Sequence, residues 1–232
     1  MSAIKSRLLS TVPGLRHGFG TIASELDPAI AADWPALKPR WKQVHGIRLV
    51  DVTAPGQDCG ETDGLCTFAP AQPIAVVTAD CVPVLLARKD GTAAAALHAG
   101  WRGTQGRIVE AFAQLLRSRG ESPGDWLACI GPAIGPCCYE VSEELAREFS
   151  EEFGESCVGG PSRRMLDLRA VNAMELNRMG FRAVEVLRLC TRCGRDDEGS
   201  PLFHSYRRAK ETGQGSGGRQ FSMIQTAPKR EN

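Results

Sequence analysis

The chain has 232 residues, 28 Lys and Arg against 27 Asp and Glu, a formal charge of +1 and 42% hydrophobic residues. So small a net charge excludes a broad electrostatic basis for nucleic acid or an anionic membrane as partner, and no apolar run reaches the length of a bilayer span. The expected class is a soluble cytosolic protein, because MSAIKSRLLSTVPG lacks the apolar core of a signal peptide. Nine cysteines, an odd number in a chain too long to need staples, read as reduced thiols.

The first forty residues are weakly patterned, and WPALKPRW (34–41) reads as a connecting loop. Residues 41–52, WKQVHGIRLVDV, read as a strand carrying His45, interrupted at Gly46. DGLCT (63–67) follows a loop of Gly, Asp and Pro. PIAVVTADCVPVLLA (73–87) predicts two strand halves broken at ADC, with Pro83 hindering regular pairing. KDG (89–91) is a turn, and AAAALHAG (93–100) is a further buried strand; both strands read as covered on two faces.

From Gly103 to Arg119 the pattern is helical, with Ile108, Val109, Phe112, Leu115 and Leu116 on one stripe and Gly120 at the end. WLACIGPAIGP (126–136) is a strand leaving into a Gly/Pro loop. Ser142 caps a helix through Phe153, and Asp167 caps another with Leu168, Val171, Leu176 and Met179 on one face. RAVEVLRLC (182–190) is a last strand. GQGSGG (213–218) reads as flexible and 225–232 as a polar tail. There is no internal repeat. Alternating strands and helices predict a single-domain layered α/β sandwich with mixed sheets.

His45, Cys81 and His98 fall at or beside predicted strand ends, each among small residues. Two imidazoles and a thiolate suit zinc, and a catalytic zinc site keeps three protein ligands and one open position. Their separations are not those of a local metal finger, so only the tertiary fold could assemble them. The ordinary alternative for each is a buried Cys or a satisfied core His.

HAGWRG (98–103) ends a strand and opens a helix, whose N-terminus attracts anions, with Arg102 beside it. Its plain alternative is a βα turn with Trp101 in the core. Arg207, Arg208 and Arg219, near a Gly-rich segment, suit phosphate or a solvated charge run. Cys190 and Cys193 form one CxxC; with no second CxxC, a metal there is not expected, and Cys137–Cys138 reads as packing. His17 and His204 have no neighbour in sequence that marks them as part of a motif.

QVHG, DGL, TADCVPVLL, HAGWRG, IGPAIGPCCYEV, DLRAVN and CTRC…FHSYRR…GRQ, in this order, resemble the laccase-domain family. That family is also called multicopper polyphenol oxidoreductase and is now described as purine nucleoside phosphorylase. The resemblance covers about residues 41–224, leaving 1–40 as a variable segment of the same domain. It implies an α/β sandwich that binds zinc through His45, Cys81 and His98. It also implies phosphorolysis of adenosine, inosine, guanosine and methylthioadenosine, with deamination of adenosine as a hydrolase activity. Older descriptions imply phenol oxidation with copper, but four histidines cannot build a multicopper centre.

Two departures stand out. HGFGTIASELDPA lacks the family's paired glycines and SLNLG block, and His204 replaces a Phe. For deamination, Asp80 or Asp63 would shuttle protons; for phosphorolysis, Arg102, Arg207, Arg208 and Arg219 would hold phosphate. Two further classes stay open. One is a metal-free thiol hydrolase or deamidase with Cys81 as nucleophile and His98 as base. The other is a non-catalytic zinc-stabilised domain.

Overall fold

The computed structural model of the chain describes residues 3–24, 26–213 and 217–229, so part of GQGSGG and the end of the polar tail lie outside the described residues. The strands are β1 (Arg16–Phe19), β2 (Arg40–Lys42), β3 (Leu49–Asp51), β4 (Asp58–Glu61), β5 (Gly64–Thr67), β6 (Pro73–Thr78), β7 (Val82–Arg88), β8 (Ala94–Ala99), β9 (Trp126–Ile130), β10 (Val158–Gly159), β11 (Met165–Leu166), β12 (Ala183–Val186) and β13 (Gln220–Gln225). The helices are α1 (Pro28–Ala31), α2 (Trp34–Leu37), α3 (Trp101–Gln105), α4 (Ile108–Ser118), α5 (Glu143–Phe153), α6 (Leu168–Met179) and α7 (Tyr206–Glu211).

A six-stranded mixed sheet runs β12-β9-β7-β8-β5-β3, and a three-stranded antiparallel sheet runs β1-β13-β6. Strand alternation explains how they stack. On β7 and β8, Val84, Leu86, Ala95 and Leu97 meet α4, α5 and α6, while Leu85, Ala87, Ala94 and Ala96 meet the three-stranded sheet. With both faces covered, these strands read as continuous apolar runs. The result is the expected single-domain layered α/β sandwich.

Capping residues fix the two long-range helices. The Ser142 side chain accepts Leu145 N, and Asp167 accepts Arg169 N and Ala170 N. Three expectations change, and FHSYRR, given no element from sequence, gains one. WPALKPRW is not all loop, because α2 occupies Trp34–Leu37. The helix expected over 103–119 is two helices, broken where Arg107 takes φ 67 and pairs with Glu152 and Glu175 on α5 and α6. α7 begins within FHSYRR at Tyr206, capped by Ser205. Pro83 pairs regularly opposite His98: its carbonyl faces β9 and accepts Gly131 N at 2.9 Å, so its missing N–H falls at the end of that ladder. No helix among the described residues is long and apolar enough to cross a membrane.

Candidate metal centre and cavity

β6 belongs to the small sheet and β7 to the large one, so Ala79–Asp80–Cys81 crosses between layers. At this crossing Asp80 adopts φ 89. Its carboxylate accepts Thr191 Oγ1 at 2.6 Å, Ser205 Oγ at 3.1 Å and Arg207 N at 2.7 Å. Asp80 therefore fastens the start of α7 and the segment after β12 to the crossing, and Cys81 follows at once.

His45 is not on a strand but in the loop between β2 and β3, with φ 62. The cause is Asp63, just before β5. Val44, His45 and Gly46 donate three successive N–H groups to its carboxylate at 3.0, 2.9 and 2.8 Å. Such a concave run of N–H groups is an anion receptor, here filled by a buried side chain. The same carboxylate takes His98 Nδ1 at 2.7 Å. Burial pushes the Asp63 carboxyl up, but hydrogen bonds from His98, Gly46 and Val44 outweigh it and hold it below the usual carboxylate value.

One carboxylate thus positions both imidazoles. The ligand atoms of His45, Cys81 and His98 lie within 4.8 Å of one another, and the two rings sit edge to face with centroids 4.9 Å apart. With Nδ1 of His98 committed to Asp63, Nε2 is its available donor. This carboxylate–histidine arrangement is the usual support behind a metal-bound His. Burial alone would raise the Cys81 thiol; hydrogen bonds from His45 and His98 bring it down to about 6. Burial alone would lower His98; Asp63 and Cys81 raise it to about 9. Gly100 leaves room beside the donors, since a Cβ there would lie 3.0 Å from Cys81 Sγ and 3.2 Å from His45 Cδ2. Two nitrogens, one readily ionised sulfur and a carboxylate bonded behind both histidines fit a three-ligand metal site with an open position.

This cluster lies in the wall of a cavity of about 510 Å³. Arg102, Arg207 and Arg219 line it, with Lys42, Trp101, Tyr139 and Tyr206. Arg102 lies over the Trp101 ring at 4.4 Å. Arg207 donates to Glu140 O at 2.9 Å and lies 5.6 Å from the Tyr139 ring centroid. Burial pushes the Tyr139 phenol up to about 12, so it remains a donor at ordinary pH. The Thr78 hydroxyl, also in the wall, is buried without a hydrogen-bond partner.

A family model described as multi-copper polyphenol oxidoreductase laccase matches residues 30–227. The chain belongs to that family. It is 36% identical over 193 residues to a purine nucleoside phosphorylase of Deinococcus radiodurans, covering 83% of this chain and 71% of that one. It is 32% identical over 214 residues to purine nucleoside phosphorylase YlmD of Geobacillus stearothermophilus, covering 83% and 75%. The crystal structure of YlmD from that organism superposes with TM-score 0.79 at 27% identity, over 94% of this chain and 93% of that one. Bacillus licheniformis YfiH gives TM-score 0.77 at 27% identity, over 93% of each chain.

Of the site residues read from sequence, the fold brings together His45, Cys81 and His98, with Asp80, Arg102, Arg207 and Arg219 in the same wall. Arg208 is elsewhere: its guanidinium donates to the carbonyls of Thr191 at 3.1 Å and Arg192 at 2.9 Å, and to Phe203 O. No described residue before Lys42 lines the cavity, and neither does His204, which packs against Gly218. Sequence reading missed Lys42, Thr78 and Tyr139; the Tyr139 signal was its place in CCYE beside two cysteines. It also set aside a metal at Cys190–Cys193, yet these two sulfurs and those of Cys137 and Cys138 lie within 4.8 Å of one another.

Proposed function

We propose that this protein is a zinc-dependent enzyme that splits purine nucleosides with phosphate, giving the free base and ribose-1-phosphate. The observation that carries this reading is the placement of a His–Cys–His donor set and three guanidiniums in one cavity wall. The names of its relatives supply the substrate class. Adenosine, inosine, guanosine and methylthioadenosine are the candidate substrates.

His45, Cys81 and His98 would hold the ion, and zinc bound there supplies a Lewis acid with an open position. The chain's own residues do the rest. Arg102, Arg207 and Arg219 bind the phosphate dianion and aim one oxygen at the ribose carbon bearing the base. As that carbon–oxygen bond forms, the glycosidic carbon–nitrogen bond breaks and its electron pair leaves on the purine, which takes up a proton. Tyr139 presents a neutral hydroxyl toward the bound reactants, and Trp101 and Tyr206 offer aromatic faces to the base.

Deamination of adenosine needs a carboxylate free to shuttle protons. Asp80 is the only carboxylate in the wall among the described residues, and three donors occupy it; four donors occupy Asp63. Phosphorolysis is therefore the main reaction in this reading and deamination a side reaction. Adenosine incubated with the protein should yield adenine and ribose-1-phosphate by chromatography only when phosphate is present. Inosine alone, or no product, would overturn the proposal.

A second reading has its own support. Without metal, Asp63, His98 and Cys81 form the orienter, base and nucleophile of a thiol hydrolase. Metal content separates the two: about one zinc lost on His98→Ala supports the metalloenzyme, whereas a metal-free, active protein inactivated by iodoacetamide supports the hydrolase.

A further inference from the structure

Four cysteines outside the cavity converge where two loops meet. Cys137 and Cys138 follow β9, and Cys190 and Cys193 follow β12. The loops are tied by a parallel bridge between Ala133 and Cys190 and by Thr191 N donating to Ala133 O at 3.1 Å. All four Sγ atoms lie within 4.8 Å of one another, with Cys137 and Cys193 at 3.6 Å. A tetrahedron of zinc–sulfur bonds near 2.3 Å places its sulfurs about 3.8 Å apart, so this cluster has the span of a one-ion site. It is too compact to wrap a multi-iron core.

The backbone around the cluster is shaped for thiolates. The N–H groups of Gly135, Arg192 and Cys193 point at Cys190 Sγ, that of Gly135 from 3.3 Å. Gly194 N closes the Cys190–Cys193 turn on Cys190 O at 2.8 Å, and a Cβ at Gly194 would lie only 2.5 Å from that oxygen. Four thiolates around a divalent ion leave two negative charges, and cations stand beside them. Arg192 Nη1 lies 3.7 Å from Cys138 Sγ, and Arg169 packs at Gly135 next to Cys137. Cys190 is buried while Cys137 and Cys193 are exposed, which leaves a route for the ion.

We propose that Cys137, Cys138, Cys190 and Cys193 form a tetrathiolate site for one structural zinc ion, separate from the His45–Cys81–His98 centre. The ion staples two loops against which one cavity cation, Arg207, and the Asp80 crossing rest. Arg207 is hung on the first loop through Cys138 O and Glu140 O. Arg208 and Asp80 are tied to the second through Thr191. The assignment does not depend on the reaction catalysed in the cavity.

The test is zinc stoichiometry of the full-length chain after reconstitution with zinc and desalting. About two ions per chain are expected in the wild type, about one in His98→Ala and about one in Cys137→Ser/Cys193→Ser. Cobalt in place of zinc in His98→Ala should give the charge-transfer intensity of four thiolates. One ion in the wild type and none in His98→Ala would overturn the site, whether or not the double variant folds. So would iron in place of zinc, or a free-thiol count of seven rather than nine in the unfolded, unreduced chain.

Discussion

The His45–Cys81–His98 centre hangs from strand ends and from one loop pinned by a buried carboxylate. The four cysteines hang from two loops that leave the neighbouring strands β9 and β12. In the first, sulfur shares the site with imidazoles at a cavity wall, and an ion held by these three donors would keep one position open. In the second, sulfur is the whole donor set and every position is filled, as a staple requires. The first set is held by two strands and the Asp63 carboxylate, whereas the second rests on loops joined by one short bridge, which an ion would cross-link.

That contrast can be broken. Cys81→Ala should cut kcat/KM by more than the roughly hundred-fold that loss of a residue supporting a metal ligand costs, with a smaller fall in melting temperature than loss of a cysteine from the four-sulfur cluster. Cys190→Ser should do the reverse, lowering the melting temperature by about 5–10 °C, the equivalent of losing about 2.7 kcal/mol of linked binding in a domain of this size. Calorimetry and turnover on the same preparations decide. A melting shift as large in Cys81→Ala would erase the distinction.

Asp63→Asn tests whether one carboxylate organises the centre. A 10- to 100-fold loss in metal affinity or activity is expected, read by competitive zinc titration. Arg102→Ala should raise the KM for phosphate about ten-fold or more, with little change for the nucleoside. An equal effect on both substrates would remove the guanidiniums from the phosphate site.

The mildest test is pH. In metal-free protein Cys81 should be alkylated by iodoacetamide with a midpoint near 6, and zinc should abolish that reactivity. The folded Cys81 binds fewer protons than the unfolded one between about 6 and 9, which makes stability rise with pH. The folded His98 binds more protons between 6.5 and about 9, which makes it fall. The two offset each other, so metal-free stability should be nearly flat from about 6.5 to 9. The thiolate's contribution then disappears as pH drops through about 6.

Much of the frame was legible because its causes are local. Ser142 and Asp167 announce α5 and α6 through their own side chains, and the apolar runs 73–78, 82–88 and 94–99 announce covered strands. The errors lie where a distant residue decides. Arg107 breaks α3 from α4 while binding Glu152 and Glu175, and His45 leaves its expected strand because Asp63 draws three N–H groups inward. Arg208 looked like an anion ligand because no local signal reports that the carbonyls of Thr191 and Arg192, with that of Phe203, occupy it. The four-sulfur cluster was missed because an adjacent Cys pair does not look like half of a metal site until another loop supplies the rest.

The Asp63 carboxylate fills the Val44–Gly46 concavity whatever the neighbouring donors hold. The ordering cost of the His45 loop is thus met when the chain folds, not when an ion arrives. An ion-free molecule already presents the three donors in place, so an ion would be taken up without prior unfolding.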